Sequence, residues 1–523
     1  MTWAELHGVL RDRGLVPPED ALRPEVGDRV VTGIAYDSRA VVPGHVFVAF
    51  KGQHADGAAF ARQAIARGAV AIVAEQTPSG EVQAPWTIVK NARLALAQLA
   101  AAFYRNPSRD MRVIGITGTN GKTTTAYLVA SIFDAAGIRC GILGTVGYRI
   151  GDEVREATRT TPEAPEVQGL LREMVDQRCG ACAMEVSSHA LSLHRVSGIA
   201  FAAGVFTNLT RDHLDFHADM DDYFRAKRQL FEMLPRDAPS VINLDDPRGA
   251  SLLDAGGRPT TYAIHRPADV MPGPLSFSLE GLSFDVRTPR GTLRVTSRLV
   301  GRPNVYNILA AVSVATVLDI PLDAVERGLR SLEGVPGRFQ VVSDAKDEVT
   351  VVVDYAHTDD ALRNLLETAR PLAHGRLITV FGCGGDRDRT KRPLMGAVAG
   401  RLSDLIVITS DNPRGEDPNR IIEEILRGIT PNTRRPSTTL SSSHSGRSES
   451  EGRDSSQGVL SLVDRRAAIT KAIEVASPGD VVLVAGKGHE KYQVIGDRTL
   501  PFDDVAVARE ALARRRTKPS VAK

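Results

Sequence analysis

Residues 113–125 run Val-Ile-Gly-Ile-Thr-Gly-Thr-Asn-Gly-Lys-Thr-Thr-Thr, an apolar stretch that breaks into a glycine-rich turn ending in Gly121, Lys122 and Thr123. This composition suits a nucleoside triphosphate. Around Thr119 and Asn120, Gly118 and Gly121 let backbone N–H groups converge on phosphate oxygens. Lys122 supplies a point charge, and Thr123, with Thr124 beside it, offers a hydroxyl to Mg2+. The strict phosphate-loop pattern is not met, because Ile116 stands where its first glycine belongs and the glycines sit at 115 and 118. A glycine-rich turn with a chance lysine is the alternative. The apolar run before it and the helix-forming residues 126–136 after it argue against that alternative.

Further chemistry-bearing residues follow apolar runs. Residues 181–186 deliver Glu185 into Ser187, Ser188 and His189, and a carboxylate at the C-terminal end of a strand is a candidate ligand for the same Mg2+ as Thr123. Taken alone, a helix-capping Glu/Ser cluster explains that string equally well. Residues 207–217, which include Asp212, His213, Asp215 and His217, are dense in metal-capable groups. Without context they are also a solvated polar loop. Lys227 lies on an amphipathic helical stretch and, on spacing alone, reads as a surface lysine. In the last third, Asp354-Tyr355-Ala356-His357-Thr358, Gly382 to Asp388, Asp411-Asn412-Pro413-Arg414 and Gly486-Lys487-Gly488-His489-Glu490 each close an apolar run. Four polar loops at the ends of parallel strands would line one edge of a sheet.

These groups need a scaffold, and the sequence supplies an alternating one. Strand-like runs at 70–74, 113–117, 181–186, 349–354, 377–381, 405–409 and 481–485 are separated by helical stretches, which predicts parallel α/β layers. At 523 residues the chain exceeds one ordinary core. Breaks near Asn106-Pro107-Ser108 and Gly334-Val335-Pro336-Gly337 predict domains over 1–109, 110–336 and 337–523. Residues 430–456 are rich in Ser, Thr, Arg and Gly and predict a disordered surface insertion.

The net charge of +2, without a basic stripe interleaved with aromatics, argues against nucleic acid as a main partner. No apolar run approaches the roughly 20 residues of a membrane span, and the N-terminus lacks signal-peptide character, so a cytoplasmic location is expected. The four cysteines include only a lone C-x-x-C, Cys179 and Cys182, and read as buried free thiols. The run Arg514-Arg515-Arg516 reads as a solvated tail.

Taken together, the strings Gly-Thr-Asn-Gly-Lys-Thr-Thr (118–124), Met-Glu-Val-Ser-Ser-His (184–189), Tyr-Ala-His-Thr (355–358) and Gly-Lys-Gly-His-Glu (486–490) resemble the Mur ligases, ATP-dependent amide ligases of peptidoglycan precursor synthesis. The similarity runs across nearly the whole chain. It implies three domains: a UDP-binding α/β domain, a central phosphate-loop ATPase domain with a parallel sheet, and a C-terminal Rossmann-like domain. It also implies addition of meso-diaminopimelate to UDP-N-acetylmuramoyl-L-alanyl-D-glutamate through an acyl phosphate.

Carried over motif by motif, the resemblance implies that Lys122 and the loop amides hold ATP, that Asn304 contacts its base, and that Arg338 and Asp354 help close the C-terminal domain over it. Thr123, Glu185, His213 and a carbamylated Lys227 (N6-carboxylysine) would surround Mg2+. Ser38, Arg39, Thr160, Thr161, Ser187 and Arg195 would grip the UDP-muramoyl dipeptide, and Asp411, Asn412, Arg414, Gly486 and Glu490 the diaminopimelate. Arg414 is the residue that distinguishes diaminopimelate-adding members from lysine-adding ones, and its guanidinium can hold a second carboxylate bidentately.

Departures from the family pattern are Asp359 in place of a proline, Ala58 in place of a histidine and Leu193 in place of a glutamine. A monomer is expected. The rival expectations are another ligase of the superfamily (L-lysine-adding, D-alanyl-D-alanine-adding or folylpolyglutamate synthetase-like) and a non-catalytic scaffold homologue. A scaffold would have no need of the intact phosphate loop and Glu185.

Overall fold

A computed structural model describes residues 1–17, 22, 24–52, 56–78, 82, 84–344, 346–429 and 458–517. Three α/β layered units follow one another. The first carries four parallel strands in sequential order, Gly33–Ala35, His45–Ala49, Ala71–Ala74 and Trp86–Ile88. Their side chains alternate between two faces: Val46 and Val48 pack with the helices Trp3–Asp12 and Ala92–Phe103, whereas Phe47 and Ala49 pack with Ala61 and Ala64.

The central sheet has eight strands in the order Arg258–Tyr262, Pro239–Asn243, Phe201–Phe206, Arg112–Thr117, Ala181–Glu185, Cys140–Leu143, Tyr148–Ile150 and Glu153–Arg155. The first six are parallel, and the last two are added by successive antiparallel pairings. Arg112–Thr117 therefore lies between Phe201–Phe206 and Ala181–Glu185, with Thr117 beside Phe206 and Ile116 beside Glu185. The turns after all three strands open on one edge, where ligands of open parallel sheets bind. Helix Lys122–Ala135 covers this sheet together with helices Arg302–Val317 and Leu322–Ser331. A small antiparallel sheet built on Gly281–Thr288 and Gly291–Ser297 joins the same core through Leu282, Phe284, Val286, Leu293 and Val295.

The third sheet has six strands, ordered Gln340–Val341, Thr350–Asp354, Val481–Ala485, Leu377–Phe381, Leu405–Ile408 and Gly458–Ser461, all parallel except the first. Two apolar clusters cover its faces. The mixed α/β class and parallel sheets expected from the sequence are both present.

All four cysteines are buried and free, as expected. Among the described residues no helix is long and apolar enough to cross a membrane. The expected insertion at 430–456 lies outside the described residues. One expectation is corrected. Arg514–Arg516 end the helix Asp504–Thr517 and are not a loose tail. Arg515 donates to the carbonyls of Ile473 and Ala476, and Arg516 pairs with Asp344 and Asp347. Carboxylates and carbonyls brought close by the fold give Arg515 and Arg516 partners that local sequence could not reveal.

Candidate active site

The phosphate loop is shaped by its neighbours. At Gly118 (φ +150°) a Cβ would lie 1.9 Å from Thr207 Oγ1, so only glycine lets the loop pass the adjacent strand end. The Thr119 and Asn120 amides donate to the Asn208 carbonyl and side-chain oxygen at 2.9 Å each. Helix Lys122–Ala135 starts behind Gly121 without a side-chain cap, so its first amides keep their capacity for an anion. Asn304 donates to the Val300 carbonyl and accepts from Asn307, whose Oδ1 lies 3.5 Å from Thr125 Oγ1. Asn304 is thereby tied to the helix that follows the loop.

Lys122 curls over its own turn, donating to the carbonyls of Gly118 (2.9 Å) and Thr119 (2.8 Å). Lys227 is no surface lysine: it is 1 % exposed, and its Nζ donates to the Gly118 carbonyl at 2.8 Å and lies 4.4 Å from the Tyr223 ring centroid. Burial first, and Lys122 next, push its pKa well below the ordinary lysine value.

Glu185 ends its strand 1 % exposed, and among the described residues it makes no ion pair. Its oxygens accept from the Thr145 amide at 2.8 Å and hydroxyl at 3.0 Å, and the same hydroxyl meets Thr160 Oγ1 at 3.0 Å. His213 follows Asp212, 3.5 Å from its carboxylate, and its ring lies 4.9 Å from that of His189. Burial holds the His213 imidazole neutral well below the ordinary histidine range.

Among the described residues no three His, Cys, Asp or Glu side chains converge as a metal cage. The donor set nevertheless fits Mg2+, which takes one or two protein oxygens and completes its shell with phosphate and water. Glu185 is a buried carboxylate without an ion pair among the described residues, and the Thr123 hydroxyl keeps a lone pair beyond its bond from Arg338 at 3.0 Å.

Residues beyond 337 reach this loop. Besides Arg338 on Thr123, Asp360 accepts from Asn120 Nδ2 at 3.1 Å, and Arg211 meets Asp388 at 3.4 Å as well as Thr390. Asp354 accepts from the amides of Phe339 (2.6 Å) and Ala356 (2.7 Å), which fixes the turn carrying Arg338. Burial raises its pKa, and Arg338 opposes the rise.

A second cluster occupies the edge of the C-terminal sheet. Lys487, fully buried, donates to Asn412 Oδ1 (2.9 Å) and Glu490 Oε2 (3.1 Å) and lies 3.5 Å from Asp411. Asn412 Nδ2 donates to the same Glu490 oxygen at 3.0 Å. A Cβ on Gly486 (φ +118°) would lie 2.6 Å from Asp411 Oδ2, so glycine is required for these loops to meet. Arg414 donates to the Gly385 carbonyl at 2.8 Å and, among the described residues, forms no ion pair.

The expected dipeptide-binding residues divide into two groups. Thr161 Oγ1 donates to the Glu185 carbonyl (2.8 Å) and accepts from the Ser187 amide (3.1 Å), while Arg195 donates to the Thr161 carbonyl (3.1 Å) and pairs with Glu163 (2.8 Å). With Thr160 they form one connected patch. Ser38 and Arg39 stay with their own sheet: Ser38 meets Gln63 at 2.8 Å, and Arg39, its side chain 81 % exposed, grips Asp37. Thr145 and Lys487 were not singled out from sequence. Lys487 sits inside a recognised string, but nothing local marks Thr145.

Comparison with known proteins follows this geometry. Residues 30–104 match the Mur ligase family catalytic domain, 116–315 the Mur ligase middle domain, and 337–488 the Mur ligase glutamate ligase domain. The chain is 48% identical over 482 residues to a UDP-N-acetylmuramoyl-L-alanyl-D-glutamate–2,6-diaminopimelate ligase of Geobacter metallireducens, covering 91% of this chain and 92% of that protein. It is 46% identical over 494 residues to the protein of the same name from Solibacter usitatus, covering 94% and 95%. A solved structure titled as a ligase of that name superposes with a TM-score of 0.66 at 33% identity, over 99% of this chain and 100% of the other. MurF from Acinetobacter baumannii shares the fold at a TM-score of 0.62 and 19% identity, covering 93% of this chain and 95% of that one.

Proposed function

The chain belongs to the Mur ligase family, and on that premise we propose that it joins meso-diaminopimelate to UDP-N-acetylmuramoyl-L-alanyl-D-glutamate at the expense of ATP. The observation that carries the reading is Arg414. It is a guanidinium without an ion pair among the described residues, two residues along the chain from Asn412, whose side chain bonds to Glu490, and so suited to a second carboxylate that L-lysine lacks. The identity to ligases named for this reaction supports it.

In this reading the γ-carboxylate of the D-glutamate attacks the γ-phosphorus of ATP, and ADP leaves. The amine of diaminopimelate then adds to the acyl phosphate, and phosphate departs as the amide forms and the amine sheds its proton. Catalysis is positioning plus neutralisation of charge, with no protein nucleophile. Lys122 and the amides at the start of its helix hold the ATP phosphates. Arg338 follows them from the C-terminal side, with Asp354 fixing its turn, and Asn304 faces the base. Thr123, Glu185, His213 and Lys227 would hold Mg2+, which supplies positive charge against the transferring phosphoryl group.

Lys227 reacts as a neutral amine with CO2 to give N6-carboxylysine. Its buried position beside Lys122, without an ion pair among the described residues, supports this, because an amine held below its ordinary pKa is nucleophilic. Ser38, Arg39, Thr160, Thr161, Ser187 and Arg195 hold the nucleotide dipeptide. Asp411, Asn412, Arg414, Gly486 and Glu490 hold the distal end of diaminopimelate. The working division is 1–109 for the UDP-sugar, 110–336 for ATP and 337–523 for the incoming amino acid. The reading carries a monomeric protein in the cytoplasm, where ATP and UDP-linked precursors are found.

The test is product mass and ADP release with ATP, Mg2+ and the UDP-muramoyl dipeptide, comparing meso-diaminopimelate with L-lysine in the wild type and in Arg414→Ala. The reading requires the tripeptide to form from diaminopimelate, with a preference that Arg414→Ala loses. Equal use of lysine by the wild type would reassign the acceptor.

A further inference from the structure

We propose that Lys487 sets the acceptor specificity of this enzyme by holding the charge of the amino-acid end of the site near neutrality. The inference rests on the diaminopimelate reading above and extends it to a residue that reading leaves unused. Lys487 is fully buried, and among the described residues its ammonium hydrogen-bonds to the loops expected to receive the amino acid: Asn412 Oδ1 at 2.9 Å, Glu490 Oε2 at 3.1 Å and Asp411 Oδ1 at 3.5 Å. Among the described residues its hydrogen bonds do not extend to the phosphate loop. The nearby Arg465 is already matched by Asp504, at 2.7 Å with both side chains fully buried, so it adds no free charge.

The contacts thus join Asp411 and Glu490 as anions to Lys487 as cation, and Arg414, which bonds to the Gly385 carbonyl, is the second cation that the reading above assigns to this end of the site. The distal end of diaminopimelate is a zwitterion, an ammonium and a carboxylate on one carbon, whereas the distal end of L-lysine is a bare ammonium. A site with balanced charge suits the zwitterion. A site carrying one more negative charge favours the bare cation, since charges a few ångströms apart in a desolvated cleft interact strongly. Lys487 supplies the balancing charge and, through Asn412, also fixes the direction of the Glu490 carboxylate. Selectivity therefore comes from a repulsive element against lysine as well as from Arg414's attraction for the second carboxylate.

The experiment measures kcat/KM for meso-diaminopimelate and for L-lysine in the full-length enzyme and in Lys487→Met, Glu490→Gln and the double variant. Lys487→Met makes the site one charge more negative, and the diaminopimelate-to-lysine ratio is expected to fall about tenfold or more. Glu490→Gln makes it one charge more positive, and the ratio is expected to rise even as both rates drop. The double variant restores the balance and is expected to return the ratio toward that of the wild type. A purely structural Lys487 would lower both rates and leave the ratio unchanged within about twofold in Lys487→Met and in Glu490→Gln, and that result would overturn the proposal. If Lys487→Met does not fold, the direction of the Glu490→Gln shift decides the question. A wild type with no preference for diaminopimelate would instead defeat the reading of the substrate, an outcome visible before any variant is made.

Discussion

The ammonium groups of Lys122 and Lys227 share one acceptor, the carbonyl of Gly118, at 2.9 and 2.8 Å. Two cations on one carbonyl in a buried setting cannot both remain charged at low cost: burial lowers the pKa of both, and Lys227, pressed by burial and then by Lys122, is driven well below its ordinary value. In the proposed reading, the same juxtaposition that penalises a charged Lys227 is what prepares it for carbamylation.

Lys227→Met should therefore separate stability from activity. A lysine with a depressed folded-state pKa binds fewer protons folded than unfolded. Its penalty is felt below the unfolded value of 10.5 and fades as pH rises toward it. Removing that penalty should raise the apparent melting temperature of the ligand-free protein by about 2 °C or more at neutral pH. Ligation should fall by at least ~100-fold. A variant with both lower stability and retained activity would contradict the role.

Thr145 offers a sharper test of the carboxylate site. Its hydroxyl meets Glu185 Oε2 and Thr160 Oγ1, so Thr145→Val should leave the fold intact but release one oxygen of Glu185. The Mg2+ concentration giving half-maximal ligation should rise about 10- to 100-fold, and Thr145→Ser should restore it. A changed kcat with an unchanged Mg2+ dependence would argue against the assignment.

Arg338 bridges to the phosphate loop through Thr123 at 3.0 Å, with its guanidinium carbon 4.6 Å from the centroid of Tyr355. Arg338→Ala should cut kcat by about 100-fold, with a smaller effect on the KM for diaminopimelate, because the proposed reading sets it against the phosphates and not the acceptor. Steady-state kinetics in both substrates separates the two effects.

Acid should unfold the protein through buried imidazoles. His489 is held neutral down to about 3 and His189 to about 4, in both cases chiefly by burial. A histidine with a depressed folded-state pKa is stabilising only while neutral, so stability is present above 6.5 and is lost as pH falls from there toward those values. His489→Gln should move the midpoint of acid unfolding, followed by circular dichroism, to lower pH. No shift, or one to higher pH, would count against this account.

Local signals carried much of this architecture. The strands at 377–381 and 481–485 match their apolar runs residue for residue, since strands buried on both faces are continuous and β-branched. The phosphate loop was legible because glycine, lysine and threonine are each needed there for a different reason. The hairpin over Gly281–Thr288 and Gly291–Ser297 is not among the expected elements, although Leu282, Phe284, Val286, Leu293 and Val295 alternate around a turn at Pro289 and Arg290. What local sequence could not disclose is burial produced by distant chain. Lys227 looks like a surface cation on its own helix, and only the approach of Gly118, 109 residues away, makes it a buried one. Thr145 is equally silent, because its partner Glu185 lies 40 residues away across the sheet edge.

The measurement that tests the central claim most directly is isotope transfer from a dipeptide precursor carrying oxygen-18 in the γ-carboxylate of its D-glutamate. If that carboxylate is phosphorylated by ATP and then displaced by the amine of diaminopimelate, one labelled oxygen must appear in the released phosphate for each amide formed. Tripeptide formation with unlabelled phosphate would contradict the acyl phosphate route, and ADP release without tripeptide would contradict the ligase itself.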